Sequence, residues 1–219
     1  MDRVEYSTDG PEAQRIAKTI PYYPFKGIER FYDIGGMCAD PEAFALAVRV
    51  FADRYRGMEI DSIGGFDARG FILGPPVALA LKIPFFMLRK KGKMPNAIDG
   101  AAYSKEYKGD DSAGQDALCV QRSATAPGKR VVLVDDLVAT GGTLLAGVDL
   151  VKGLVRYCCD GMVHASIYDR RGAEVVECAC MIELKALNGV GKLHERHPDV
   201  PVWSLISEDI LTVEGVNES

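Results

Sequence analysis

The sequence predicts an α/β fold, a mostly parallel sheet flanked by helices. Two patterns carry that expectation: short aliphatic runs alternate with helical stretches, and the runs are too continuous for strands with one wet face. A third is that acidic, basic or small-residue turns follow several of the runs, where ligands of such sheets bind. The chain has 219 residues, 47% of them apolar and 26% charged, an ordinary globular balance that excludes disorder, collagen and a disulfide miniprotein. One domain over 1–219 is expected: an N-terminal helix and hood to about 37, a core over 38–190 and a C-terminal extension over 191–219.

Taken in order, residues 11–20 carry Glu12 early and Lys18 late, the polarity a short helix prefers, before Pro21 and Pro24 break it. Asp40 followed by Pro41 is an N-cap with proline at the first helical position, and Phe44, Val48 and Phe51 follow at helical spacing as far as Arg56. Residues 60–66 read as a buried strand, 70–81 as a helix and 83–88 as a second strand. Most of 90–114, with five lysines and little periodicity, reads as a mobile surface loop. Strands follow at 118–121 and 130–134, the latter ended by Asp135 and Asp136, with a helix from near Gly142. An apolar stretch at 161–168, a strand at 175–184, a helical segment at 185–194 and a strand at 202–206 complete the pattern.

A net charge of −5 argues against a basic nucleic-acid coat while leaving room for a local anion pocket. The uncharged stretches are too short and too rich in Pro and Gly to span a bilayer, and the mixed-charge N-terminus lacks an apolar leader core. A cytoplasmic protein with reduced thiols is therefore expected. The six cysteines include the adjacent Cys158 and Cys159, near His164, and the Cys178-x-Cys180 pair. Neither spacing is Cys-x-x-Cys, and Cys-x-Cys within an apolar strand puts both thiols on one face as small hydrophobes rather than zinc ligands.

The strongest chemical signal is VVLVDDLVATGGTL, residues 131–144. A buried strand brings two carboxylates to its tip, and Ala139, Thr140, Gly141, Gly142 and Thr143 turn into a helix whose free N–H groups suit a phosphate. Acids that accept from vicinal hydroxyls, beside a monophosphate cup, suit a sugar phosphate. Read bare, the same pattern also describes a solvated turn with an Asp cap.

Those fourteen residues resemble the phosphoribosyl-pyrophosphate signature of the type I phosphoribosyltransferases. The resemblance implies that family's fold with a small N-terminal hood. It also implies that Asp135 and Asp136 bind ribose while 139–143 hold the 5′-phosphate. Ala139 stands where hypoxanthine and guanine enzymes usually have a third Asp, which disfavours their base chemistry. Residues 64–74, GGFDARGFILG, are similar to the pyrophosphate loop of the adenine-specific members, commonly built on a non-proline cis peptide; Asp67, Ala68 and Arg69 fall there.

The basic segment MLRKKGKMP resembles the family's Arg-Lys-x-Gly-Lys run, implying that Arg89, Lys90 and Lys93 face pyrophosphate with Lys91 outward. YSKEY at 103–107 is similar to the family's catalytic loop, giving Glu106 proton transfer at adenine N7 and Tyr107 a shielding role. GIERFYDI at 27–34 resembles the purine hood, with Phe31 stacking on the base, the backbone around Arg30 reading its edge, and Tyr32 in place of a frequent Arg.

Together these imply transfer of the phosphoribosyl group from phosphoribosyl pyrophosphate to adenine, giving AMP and pyrophosphate in purine salvage. An oxocarbenium-like transition state follows by analogy with glycoside chemistry. Mg²⁺ would be held mainly through the sugar pyrophosphate and water, with no nucleic-acid or membrane partner, and the assembly would be a homodimer. A sibling transferase for another base and a sugar-phosphate-binding regulator are the alternatives. The resemblance covers 21–187 and departs over 153–172, where an added strand and an interface element are the two readings.

Overall fold

A computed structural model describes residues 5–103, 116–122, 129–154 and 172–216. The first helix, α1, is Pro11–Ala17, ending earlier than 20 because Lys18 closes it ahead of the proline-rich segment. Strands β1 (Tyr22–Phe25) and β2 (Ile28–Tyr32) form an antiparallel hairpin of their own. After the short helix α2 (Gly35–Ala39), α3 spans Pro41–Tyr55, and the Asp40 carboxylate accepts from the Glu42 and Ala43 N–H groups at 3.0 Å, the expected cap.

The main sheet is built from β3 (Ser62–Phe66), β4 (Phe85–Lys90), β5 (Ala97–Tyr103), β6 (Asp116–Gln121), β7 (Arg130–Val138), β8 (Glu174–Glu183) and β9 (Val202–Ser207). Its order is β5-β6-β4-β3-β7-β8-β9, parallel from β4 through β9, with β6 and β5 added antiparallel at one edge. Helix α4 (Gly70–Leu81) follows β3, α5 (Gly142–Lys152) follows β7, and α6 (Gly189–Arg196) leads to β9. The expected mostly parallel α/β sheet is present.

Strand alternation divides the core into two layers. Val132 and Val134 join Ile16, Phe51, Leu73 and Leu205 on one face. Val131 and Leu133 face Phe66, Leu88, Val148 and Val151 on the other. Cys178 and Cys180 both lie in the second layer, fully buried, as the small hydrophobes their spacing implies.

Three local expectations need correction. Residues 97–103 are the edge strand β5, not loop; an edge strand covered on one face needs no continuous apolar run, and Lys91 pairs with Asp99 on it at 2.9 Å. Strand β7 does not end at its two acids but runs on to Val138, because β8 continues to pair with it through Leu137↔Ile182 and Val138↔Glu183. The segment 185–194 is not one helix: a 3-10 turn over Lys185–Leu187 stops at the left-handed Asn188 before α6 begins. The apolar stretch at 161–168, with Cys158, Cys159 and His164, lies outside the described residues. No helix among the described residues is long and apolar enough to cross a membrane.

Candidate active site

The chain leaves β3 toward β4 on one side and β7 toward β8 on the other, so strand order reverses between β3 and β7. The crevice outside the carboxyl ends of such strands is the natural ligand site of an open α/β sheet. The 67–69 turn and the 135–143 segment both emerge there.

On β7, Asp136 is 4% exposed and Asp135 half-buried, and the Asp136 N–H donates to Asp135 Oδ1 at 2.9 Å. Asp136 Oδ2 lies 3.0 Å from Arg69 Nη1 but takes no well-directed hydrogen bond. Burial pushes the Asp135 carboxyl well above the usual carboxylate range, and repulsion from Asp136 adds to the rise. Burial also raises Asp136, with Arg69 opposing it. The two acids are thus held at an electrostatic cost that a hydroxyl-rich, cation-bearing ligand would relieve.

That cost has a sign. A carboxyl with a raised folded pKa binds its proton more tightly folded than unfolded, so the ligand-free protein loses stability as pH rises from the ordinary carboxylate value toward the raised one. Asp135→Asn removes the titration. Its ligand-free Tm is expected to exceed that of the parent at pH 8, with the gap closing toward about pH 4. Paired thermal melts across pH check this.

Beyond β7, Ala139 is 4% exposed, Thr140 and Thr143 are half-buried, and Gly141 takes a left-handed φ of +76° at the start of α5. The free N–H groups of an eleven-residue helix open here. The turn is backed by α6: a Cβ on Gly141 would collide with the Gly189 carbonyl, and one on Gly189 with the Ala139 carbonyl. Gly189 was not among the residues the motifs single out, although Asn188-Gly189 is itself a helix-start signal.

The 67–69 turn contains a cis Asp67–Ala68 peptide. Asp67 Oδ2 accepts from Arg89 Nε at 3.0 Å, and Arg89 Nη1 donates to the Lys93 carbonyl at 3.0 Å, so the basic segment is tied to the turn. Lys90 pairs with Asp116 at 3.2 Å, and Lys91 is exposed. Arg69 reaches from Asp136 to the Phe31 ring, its guanidinium carbon 5.2 Å from the centroid.

Phe31 packs on Phe25 at 5.1 Å, and with Tyr23, Pro24 and Asp33 they line a pocket of about 280 Å³. Tyr23 and Phe25 join this aromatic wall although only Phe31 stands out from sequence. Arg30 lies over the Tyr22 ring at 4.9 Å. Glu106 and Tyr107 lie outside the described residues.

The switch-point crevice, its paired acids and the small-residue helix start all lie within residues 39–155, which match the family model of the phosphoribosyl transferase domain. The chain is 43% identical over 178 residues to an adenine phosphoribosyltransferase of Desulfosudis oleivorans, covering 81% of this chain and 89% of that protein. It is 39% identical over 206 residues to adenine phosphoribosyltransferase 1 of Triticum aestivum, covering 93% and 98%. The crystal structure of adenine phosphoribosyl transferase from Trypanosoma brucei in complex with AMP, pyrophosphate and ribose-5-phosphate superposes with a TM-score of 0.80 and 32% identity, over 97% of this chain and 87% of that one. The chain belongs to the adenine phosphoribosyltransferase family.

Proposed function

We propose that the protein transfers the phosphoribosyl group of phosphoribosyl pyrophosphate to adenine, releasing AMP and pyrophosphate in purine salvage. The observation that carries this reading is the pair Asp135 and Asp136 beside the Gly141–Gly142 helix start, facing an aromatic hood through Arg69. Backbone N–H groups of 139–143 and the Thr140 and Thr143 hydroxyls bind the 5′-phosphate, and the two carboxylates accept from the ribose hydroxyls.

Adenine stacks on Phe31, with the backbone around Arg30 reading its polar edge. As the base nitrogen approaches C1′, the bond to pyrophosphate breaks through an oxocarbenium-like state. Arg69, Arg89, Lys90, Lys93 and the backbone at Asp67 and Ala68 take up the negative charge of the leaving group. Glu106 handles the proton at adenine N7, and Tyr107 covers the reaction centre against water.

The hard, adjacent oxygens of Asp135 and Asp136, one not fully hydrogen-bonded, suit a Mg²⁺ that keeps waters and substrate oxygens as ligands. The two acids would face it across water and ribose, and the bound ion would neutralise pyrophosphate charge. A homodimer is part of the proposal. Helix α4 bears no charged residue, yet exposes Ile72 and Leu79, the latter at 78%, an apolar face suited to a second copy. A cytoplasmic location accords with the free thiols of Cys38, Cys119, Cys178 and Cys180.

The test is nucleotide formation from adenine, hypoxanthine, guanine and orotate with phosphoribosyl pyrophosphate and Mg²⁺. AMP from adenine alone is expected, and no nucleotide from adenine overturns the reading. Glu106→Gln is expected to lower kcat by about 10²-fold or more with little change in either KM. An unchanged kcat removes Glu106 from the proton transfer.

A further inference from the structure

The hood is held by chain from the far end of the sequence. Beyond β9, residues 208–210 form a 3-10 turn and the chain then runs alongside β1: the Tyr22 N–H donates to the Val213 carbonyl at 2.9 Å, and the Gly215 N–H to the Tyr22 carbonyl at 2.9 Å. Tyr22 and Glu214 form a parallel bridge, so this segment adds a third line of backbone to the two-stranded hairpin.

Two contacts then reach the residues around Phe31. On one face of β2, Tyr32 is 2% exposed and its hydroxyl donates to Glu208 Oε1 at 3.0 Å, with its ring edge-on to Tyr22 at 6.3 Å. On the other face, Tyr23, the cross-strand partner of Phe31, has its ring seated against Gly215 so closely that a Cβ there would collide with it. Phe31 is therefore bracketed: its chain neighbour is tethered to Glu208 and its strand partner is backed by Gly215.

We infer that Tyr32 and Glu208 are positioning residues for base binding, a latch by which the C-terminal segment fixes the orientation of Phe31. The inference rests on the proposed stacking of adenine on Phe31. A hairpin with two strands and no partner is a marginal platform, whereas stacking requires a ring held at a set height and tilt. Burying Tyr32 with its hydroxyl satisfied by a group 176 residues away removes the hairpin's freedom to swing. Neither side chain lies among those assigned to ribose, phosphate or pyrophosphate, so the latch acts on one substrate and not the other.

Steady-state kinetics on the full chain, varying each substrate separately, tests this. Tyr32→Phe keeps the ring and removes only the hydroxyl. It is expected to raise KM for adenine by about 5-fold, with KM for phosphoribosyl pyrophosphate within about 2-fold of the parent. Glu208→Ala should do the same, and the double variant no more than either alone. Glu208→Gln, whose amide oxygen still accepts from Tyr32, should bring KM for adenine back to within about 2-fold. Phe31→Ala is run alongside. If it raises KM for adenine while Tyr32→Phe and Glu208→Ala do not, the latch is overturned and the stacking reading stands. Equal rises for both substrates also overturn it, since a loosened fold would move both. If Phe31→Ala leaves KM for adenine unchanged, the stacking reading fails and takes the latch with it.

Discussion

Gly141→Ala is expected to weaken phosphoribosyl pyrophosphate binding by about 10²-fold or more. The residue sits at φ +76°, where a side chain costs about 1 kcal/mol or more. The new methyl would also press on the Gly189 carbonyl. That neighbour has no room to retreat, because Gly189 is itself packed against the Ala139 carbonyl of the same turn. Strain is thus relieved only by moving 139–143, and the N–H groups at the start of α5 move with it. Calorimetric titration with the sugar pyrophosphate measures the loss, and a melt in the absence of ligand shows whether the fold survives. Affinity equal to the parent's would take the phosphate away from this turn. Gly189→Ala should reproduce the effect from the other side of the contact, although α6 touches no substrate group in the proposed complex.

Glu177→Ala is expected to destabilise the folded chain by about 3–5 kcal/mol without altering either substrate's KM in the surviving folded protein. Glu177, 4% exposed, accepts from Arg54 Nε and Nη2, both at 2.6 Å, and from the Tyr55 hydroxyl at 2.7 Å. Two side chains of α3 thus converge on one carboxylate, and the Arg54 guanidinium also lies 4.5 Å from the ring of Trp203 on β9. Removing it strands a half-buried cation and a buried hydroxyl, and the loss exceeds what the pair contributes over an apolar replacement. Denaturant midpoints measure this. An Arg54→Met/Glu177→Met variant should recover much of the loss, because no charge is then left buried alone. A midpoint unmoved by Glu177→Ala would mean that the network is already open to solvent.

Much of the architecture was legible because its signals are local. A cap such as Asp40, a run such as 131–134 and the helical spacing of Phe44, Val48 and Phe51 each act over a few residues. The acids and the small-residue turn share one continuous stretch for the same reason. What eluded periodicity depends on partners distant in sequence. Edge strand β5 exists through its pairing with β6, and β7 passes its acids because β8 keeps pairing beside it. A bulge near Val175 shifts the register of β8, and Glu177 meets Arg54 and Tyr55 of α3. No spacing rule links position 177 to 54.

The sequence by itself determined the alternation of strands and helices, the chemical character of the phosphate turn and the family resemblance of its motifs. Those properties are set by short-range sterics, hydrogen bonding and apolar periodicity. Tertiary structure alone decided that Arg69 would span Asp136 and Phe31, that Gly189 would back Gly141, and that residues 208–215 would close on the hood. Each is a meeting of segments separated by tens to hundreds of residues. Such meetings are settled by sheet order and close packing, which no local window of the chain contains.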